Sequence, residues 1–233
     1  MSVCTANLAV ECPAIVPDYR YCAADMLGRQ LAQAPIDWLT EREQTEMRRW
    51  RDPTRRQAWL RGRWMMKHLI IARLRNHTIR DIEILVGEER RSPQAHCRGE
   101  SQNWPLSISH TESGVLAAIS WRAETAVGVD LAPLHPLPRG FCRLWFSAAE
   151  QQWIGAQAGP LAINGLWTVK EALYKASNQG EPFNPRAIEA LPGNYRYRGR
   201  LLPNCAVITW TVDEHVATLA VVPVTDINSE VQS

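Results

Sequence analysis

Two short segments of this chain resemble each other, and their repetition restricts the folds that the chain can adopt. Residues 38–43 are Trp-Leu-Thr-Glu-Arg-Glu and residues 145–150 are Trp-Phe-Ser-Ala-Ala-Glu, at an offset of 107. Both carry Thr or Ser with Glu three positions later, the capping-box pattern that begins a helix. In each copy a proline, Pro53 or Pro160, marks a break before a longer helical segment. The repetition predicts two similar halves.

Each predicted half also ends in two strands, 105–109 and 115–121 in the first and 206–212 and 216–222 in the second. We expect an α+β fold of two similar halves, residues 1–121 and 122–233, related by a pseudo-twofold axis. Neither half has enough helix to cover its sheet, so we expect both to fold as one unit. One chain then supplies both halves, which predicts a monomer. At the offset of 107, Arg63 falls opposite Lys170.

Lysine is rare in this chain, and two of its three lysines lie in one nine-residue segment. Of 26 basic residues only Lys67, Lys170 and Lys175 are lysine, and residues 167–175 are Trp-Thr-Val-Lys-Glu-Ala-Leu-Tyr-Lys. Lysine holds a phosphate as a compact point charge, whereas arginine presents a planar fork. In a helix Glu171 and Lys175 share a face, so they predict either an anion site or an ordinary surface ion pair.

Residues 126–131, Ala-Val-Gly-Val-Asp-Leu, predict a buried strand with a carboxylate near its end. Gly128 within the strand indicates that something approaches the backbone closely at this position. Asp130 has two interpretations, a strand-end or turn residue and a ligand, since aspartate is depleted in strands. Facing Glu171, it would form a site for Mg²⁺ and a polyphosphate, because protein carboxylates and substrate phosphates commonly share this ion.

Together these segments resemble a known family. Gly128-Val129-Asp130, followed about 40 residues later by Trp167-Thr168-x-Lys170-Glu171-Ala172-x-x-Lys175, is similar to the paired signature of 4′-phosphopantetheinyl transferases. The length and the upstream Ser109-His110 resemble the larger, surfactin-synthetase-type members. The resemblance extends over about residues 40–222, most of the chain.

The resemblance implies an enzyme with holo-acyl-carrier-protein synthase activity. It would transfer the 4′-phosphopantetheine arm of coenzyme A (CoA) to a serine of an apo acyl or peptidyl carrier protein, with Mg²⁺, and release adenosine 3′,5′-bisphosphate. Asp130 and Glu171 would be the metal ligands, and Glu171 also the candidate base. Lys175 would hold the α- or β-phosphate, and Lys170 would neutralise neighbouring anions. Nothing in the sequence distinguishes carriers of fatty-acid, polyketide and nonribosomal-peptide synthesis.

The resemblance also suggests residues for the rest of CoA. Ser109 and His110 would contact a phosphate or the adenosine, although a lone histidine is more often structural. The helix containing residues 55–67 would supply the ligand of the CoA 3′-phosphate from Arg56, Arg63 or Lys67; the alternative is a solvated helix face.

The chain departs from the family pattern at two places. Larger members commonly carry a second acidic residue two positions after the aspartate, and here that position is Ala132. The third metal ligand is therefore missing, and a water would take its place. Arg90 or Arg91 before Pro93 would replace the basic residue of a Gly-Lys-Pro motif, whose glycine and lysine are absent.

The charge distribution leaves two alternatives. Residues 42–75 hold 11 Lys and Arg against 3 Asp and Glu, while the remainder holds 15 against 21. Trp50, Trp59 and Trp64 lie among these arginines, a pattern typical of nucleic-acid binding. The acidic remainder and the lack of a recognised motif argue against it, so we expect no nucleic-acid partner. The other alternative is a non-catalytic family member that binds CoA or carrier protein, which the departure at Ala132 favours.

The cysteines and the hydropathy pattern bear on the compartment. None of the six cysteines has metal-ligand or Cys-x-x-Cys spacing, which favours free thiols in a reducing compartment. No apolar run approaches the roughly 20 residues of a membrane span, and no signal-peptide pattern begins the sequence. We expect a cytoplasmic protein without a membrane partner.

Overall fold

A computed structural model of the chain describes residues 17–35, 37–87, 92–138, 140–157, 160–178 and 180–228. The elements up to residue 119 are β1 (Asp18–Ala23), α1 (Ala24–Ala32), α2 (Glu41–Arg49), α3 (Pro53–Ile71), β2 (Ile82–Val86), β3 (Pro93–Cys97), β4 (Glu100–Ser101), β5 (Leu106–His110) and β6 (Gly114–Ile119). Those that follow are β7 (Thr125–Pro133), α4 (Phe141–Trp145), α5 (Ala148–Ala156), α6 (Pro160–Ser177), β8 (Ile188–Leu191), β9 (Asn194–Tyr197), β10 (Arg200–Leu201), β11 (Ala206–Val212), β12 (His215–Pro223) and α7 (Val224–Asn228).

The strands form four antiparallel sheets, so the fold is α+β as predicted. Two sheets have the orders β1-β6-β5 and β7-β12-β11, and two smaller ones have the orders β2-β3-β4 and β8-β9-β10. In the first larger sheet, β6 lies between β1 and β5 and pairs with both. In the second, β12 lies in the same way between β7 and β11. The same succession of a strand, helices, a small meander and a hairpin thus occurs twice along the chain.

The two larger sheets pack against each other, and one long helix covers each outer face. On β6, Val115 and Ala117 pack with residues of α3, whereas Leu116 faces Val127 and Val129 of β7. Helix α6 packs on the opposite side of β7 and β12. Because successive strand residues point to opposite faces, each central strand contributes to two cores.

The local predictions at the helix and strand ends are confirmed. Capping boxes at Thr40 and Ser147 begin α2 and α5, with Glu43 and Glu150 as their third residues. The two longer helices begin at the prolines that follow. The four predicted hairpin strands, β5, β6, β11 and β12, occur within two residues of their expected ends.

Gly128 lies where α6 contacts β7, which confirms the expected close approach to its backbone and identifies α6 as the element that makes it. A Cβ atom at this position would overlap the carbonyl oxygen of Ala172 and lie 2.7 Å from the amide nitrogen of Ala176. Only glycine leaves room for this helix–strand contact. The contact brings the last two turns of α6 against the middle of β7.

Two further observations concern the expected absence of a membrane span and the expected state of the cysteines. Across the described residues, none of the helices combines the length and apolar character that a membrane crossing requires. The four described cysteines form no disulfide with one another, while Cys4 and Cys12 lie outside the described residues.

Candidate active site

Asp130 is the centre of a polar cluster between the two larger sheets and α6. Its residue is only 5% exposed, and its Oδ1 accepts hydrogen bonds from Lys175 Nζ at 2.6 Å and from Ser109 Oγ at 2.8 Å. Ser109 lies near the end of β5, and its Oγ also accepts the backbone N–H of Leu131 at 3.2 Å. Ser107 binds the N–H of Val129 in the same way at 2.9 Å. These serines join β5 to β7 although the strands belong to different sheets.

Lys175 links Asp130 to a second carboxylate. Its Nζ lies 3.9 Å from Oε2 of Glu171, one helical turn earlier in α6. Both α6 side chains retain about a quarter of their accessible surface, whereas Asp130 is buried. The structure therefore brings together four predicted site residues at the partly exposed edge of the contact between α6 and β7: Asp130, Glu171, Lys175 and Ser109.

The environment of Glu171 makes it an unusually basic carboxylate. Burial, and secondly the negative charge of Asp130, raise the pKa of Glu171 from 4.5 to about 7, while Lys175 lowers it. Near neutral pH this carboxyl therefore exchanges a proton readily. A carboxylate with this property is suited to general-base catalysis, and a bound cation would favour its ionised form.

His110 is the last residue of β5, next to Ser109 in sequence. The residue is exposed to solvent, yet the protein atoms around its ring lower its pKa, and the Lys175 ammonium lowers it further. Arg63 contributes in the same direction, and Asp130 opposes it. The neutral imidazole therefore predominates at neutral pH, and the ring lies within electrostatic reach of the cluster.

Lys170 does not join this cluster, and its expected role in neutralising substrate anions is corrected. It is 1% exposed and forms a 2.8 Å ion pair with Glu150 Oε2. Its Nζ also donates to the backbone oxygens of Pro185 and Ile188. Successive helix residues are about 100° apart, so Lys170 points into the core while Glu171 faces the cluster.

Lys67 is buried in the same way, and its expected contact with the CoA 3′-phosphate is also corrected. Its Nζ lies 2.5 Å from Glu43 Oε2 and donates to the Trp38 oxygen at 3.0 Å. Glu43 accepts the N–H of Ile84 at 2.9 Å. The part of the chain before residue 122 therefore places a buried lysine beside the glutamate of its capping box.

The second half contains a matching arrangement. Glu150 accepts the N–H of Ala190 at 2.8 Å and binds Lys170, as Glu43 binds its own strand and Lys67. Lys67, rather than Arg63, is thus the counterpart of Lys170. The offset of 107 fails there because α3 has four more residues before its lysine than α6 has, about one helical turn.

The structure separates the residues proposed for the CoA 3′-phosphate. Arg63 is buried, donates through Nε to the Ile84 oxygen at 3.2 Å and lies 4.6 Å over the ring of Trp59. Arg56 is exposed in the first turn of α3. Arg90 and Arg91 lie outside the described residues.

The aromatic basis of the nucleic-acid alternative is corrected as well. Trp59 and Trp64 are 5% and 8% exposed and belong to the core around α3, so their rings are not available to stack on bases. Trp50 remains on the surface.

A cleft of about 1270 Å³ extends from Lys175 between the parts of the chain before and after residue 122. Its walls include α2, the β2–β3 hairpin and the segment before β5 on one side, and the end of α6 with β7 and α7 on the other. Arg49 and Trp104 line it, and the sequence analysis proposed neither as a site residue. Arg49 lies within the basic stretch that indicated an anionic partner, but no pattern in the sequence pointed to Trp104.

The donor set suits a hard divalent cation with few protein ligands. Asp130 and Glu171 provide carboxylate oxygens, and Ala132 lies on the same face of β7 as Asp130 because strand side chains alternate. Within the described ranges no three His, Cys, Asp or Glu side chains are grouped as metal ligands. Two carboxylates fit Mg²⁺, which keeps several waters, better than a metal that needs a complete protein cage.

Comparison with known proteins gives one family match. No curated protein matches the chain significantly. Residues 126–220 match the family model of the 4′-phosphopantetheinyl transferase superfamily, a segment that begins in β7 and ends in β12. It contains Asp130, Glu171 and Lys175. This segment, less than half of the chain, is similar to that superfamily, and the similarity supports a transferase.

Proposed function

We propose that the chain is a large-type 4′-phosphopantetheinyl transferase that modifies a serine of an apo acyl or peptidyl carrier protein. The observation that carries the proposal is the contact of Lys175 with both Asp130 and Glu171, within the segment that matches the superfamily. Gly128 keeps this contact tight. The rare lysine and both acidic residues of the sequence pattern thus converge on one point beside a large cleft.

In this proposal the cleft binds CoA. Its volume exceeds the roughly 300–1,000 Å³ of ordinary ligand pockets, as a nucleotide with a long arm requires. The pyrophosphate would lie against Lys175, and the adenosine part would extend toward Arg49 and Trp104. Arg49 forms none of the salt bridges found among the described residues, so it replaces Lys67 as our candidate for the 3′-phosphate.

The reaction needs one proton transfer and one phosphoryl transfer. The serine oxygen of the carrier forms a bond to the phosphorus that bears pantetheine, and the bond from this phosphorus to the bridging oxygen breaks. Glu171 accepts the serine proton, for which a pKa near 7 is suitable. Lys175 stabilises the negative charge that develops on the leaving adenosine 3′,5′-bisphosphate.

Asp130 and Glu171 would hold the Mg²⁺, with water at the position that Ala132 leaves without a ligand. When bound, the ion would neutralise the charge of the pyrophosphate. Ser109 fixes the Asp130 carboxylate from the other side, and His110 would contact a phosphate as a neutral donor. Lys170 has no contact with substrate in this proposal.

The two-half architecture is also part of the proposal. The repeated element order and the matching Lys67–Glu43 and Lys170–Glu150 pairs support two similar halves related by a pseudo-twofold axis, with the boundary near residue 122. A single chain would then form the whole cleft as a monomer, and the protein would act in the cytoplasm.

The experiment is incubation of the protein with CoA, Mg²⁺ and a panel of apo carriers from fatty-acid, polyketide and peptide synthesis. Intact-mass measurement should show one phosphopantetheine added to at least one carrier, and nothing added without CoA or with a chelator. A protein that binds CoA but modifies no carrier would support the non-catalytic alternative. Salt-dependent binding of nucleic acid, without binding of CoA, would support the alternative of a nucleic-acid-binding protein.

A further inference from the structure

His215 joins two turns that come from different halves of the chain. It is the first residue of β12 and is 2% exposed. Its Nε2 lies 2.9 Å from Thr111 Oγ1 and 3.0 Å from Ser113 Oγ. Thr111 and Ser113 form the turn between β5 and β6, directly after His110. One buried imidazole therefore contacts both hydroxyls of the turn that follows the candidate site.

The same turn is already closed by its own hydrogen bonds. The N–H of Thr111 donates to the Gly114 oxygen at 2.8 Å, and the N–H of Gly114 donates to Thr111 Oγ1 at 3.0 Å. These two bonds involve residues of the turn alone. What the histidine adds is a connection from the turn to β12.

That connection reaches the strand that carries Asp130. Strand β12 pairs with β7, where His215 lies opposite Pro133 and Thr218 lies opposite Asp130. His215, which contacts the turn at 111–113, thus lies three positions before Thr218, the residue of β12 that pairs with Asp130. Beyond Ser107 and Ser109, this is a further polar link between β5 and the sheet containing β7.

A second hydrogen bond supports the same junction. Tyr21 Oη donates to Asp213 Oδ2 at 2.7 Å, and the rings of Tyr21 and His215 are 6.0 Å apart. Asp213 lies in the turn before His215 and has a positive φ of 47°. Tyr21, on β1, and the β11–β12 turn therefore also pack at the junction that contains His215.

Stability alone does not explain a histidine at this position. Its Nδ1 is buried and has no hydrogen-bond partner within the described part of the chain. A buried polar atom without a partner destabilises the folded state, and an apolar side chain of similar size would avoid this. Local conflicts of this kind occur at functional sites.

We propose that His215 is a positioning residue for the active site. By holding the β5–β6 turn against β12, it fixes the end of β5, and so keeps Ser109 and His110 in place beside Asp130. This inference rests on the proposed transferase function for its effect on turnover, but the anchoring of the turn can be measured without it.

The test compares two substitutions at this residue. His215→Leu keeps the volume and removes both hydrogen bonds, and we expect kcat/KM to fall about tenfold, since small displacements at a reaction centre are costly. The melting temperature should change little, because removal of the unpartnered nitrogen offsets the loss of the two hydrogen bonds. His215→Gln places an amide near the two hydroxyls and should restore most of the activity. His215→Leu with full activity would overturn the proposal.

A double mutant tests whether His215 acts through the end of β5. In a His110→Ala background, adding His215→Leu should cause a smaller loss of kcat/KM than it does in wild type, since one of the two residues it positions is gone. Two losses that multiply fully would contradict the proposal.

Hydrogen exchange separates this inference from the proposed function. His215→Leu should accelerate exchange of the Thr111 and Gly114 amides relative to those of β12. Unchanged exchange at the turn would overturn the anchoring role, whether or not the protein is a transferase. Absence of transfer to every carrier, together with accelerated exchange, would refute the proposed function and leave the anchoring intact.

Discussion

Lys175 donates a 2.6 Å hydrogen bond to Asp130, and this contact joins the helix and the strand that carry the candidate chemistry. The same ammonium lies 3.9 Å from Glu171. One cation therefore stabilises two carboxylates that would otherwise repel each other. Because Lys175 also lines the cleft, a phosphate that enters there would contact the ammonium.

The first prediction concerns Gly128. Gly128→Ala should destabilise the protein by about 3 kcal/mol, because the added methyl group overlaps the α6 backbone, which cannot move like a side chain. Urea unfolding measures the loss. Gly155→Ala is the matched control, since its Cβ would meet nothing within 4 Å and alanine favours helix. Equal stabilities of the two variants would contradict the packing described here.

The second prediction concerns the buried Lys170–Glu150 pair. Lys170→Met should cost about 3–5 kcal/mol, because it leaves the Glu150 carboxylate buried and unpaired. Adding Glu150→Gln removes that charge but keeps an acceptor for Ala190, so the double variant should be more stable than Lys170→Met. Its turnover should recover in parallel. A double variant that is stable but inactive would return Lys170 to the catalytic residues.

Much of the site could be predicted from the sequence, because its signals are local. Gly128 indicated a close backbone contact, and the four-residue spacing of Glu171 and Lys175 placed both on one helix face. The prediction for Lys170 is wrong because its buried partner, Glu150, lies 20 positions away in the sequence, and no local pattern indicates this pair.

The remaining features depend on tertiary contacts that no local pattern encodes. The repeat was visible at the capping boxes, yet the extra turn of α3 moved Lys67, not Arg63, opposite Lys170. His215 looks like any strand residue in the sequence, and its contacts with Thr111 and Ser113 arise only when the two sheets pack. Trp104 likewise lines the cleft because of tertiary packing, and no local sequence pattern indicates this.

The third prediction is a pH dependence that arises from Glu171. Its pKa of about 7 in the folded protein lies above the ordinary 4.5, so the folded state retains a proton that the unfolded state releases. This group therefore destabilises the protein increasingly as the pH rises from 4.5 to 7. Unfolding of wild type and Glu171→Gln across this range, without divalent metal, should show the stability difference growing in favour of the variant.

The pH dependence of turnover should also reflect Glu171, but activity should rise with pH over the range in which stability falls. Because the base must be ionised, kcat/KM should fall as the pH drops below about 7, and higher Mg²⁺ should shift this limb to lower pH by favouring the carboxylate. A limb that does not respond to Mg²⁺ would place the metal away from Glu171.

The fourth prediction concerns Ala132, which shares a face of β7 with Asp130. Ala132→Glu should lower the Mg²⁺ concentration needed for half-maximal rate, because a charged oxygen replaces a water ligand. Activity titrations of both proteins against Mg²⁺ measure this. An unchanged or increased requirement in the variant would mean that position 132 does not face the metal.

The most direct test of the central claim is the intact mass of a responsive apo carrier, followed over time with CoA and Mg²⁺. Glu124 is exposed and is not among the proposed site residues, so wild type and the control Glu124→Gln should both add one phosphopantetheine at similar rates. Asp130→Asn and Glu171→Gln should remain folded and be slower by about 100-fold or more, a loss of roughly 2.7 kcal/mol in transition-state stabilisation. No mass change with wild type on any carrier, or a near-normal rate for either site variant, would contradict the account.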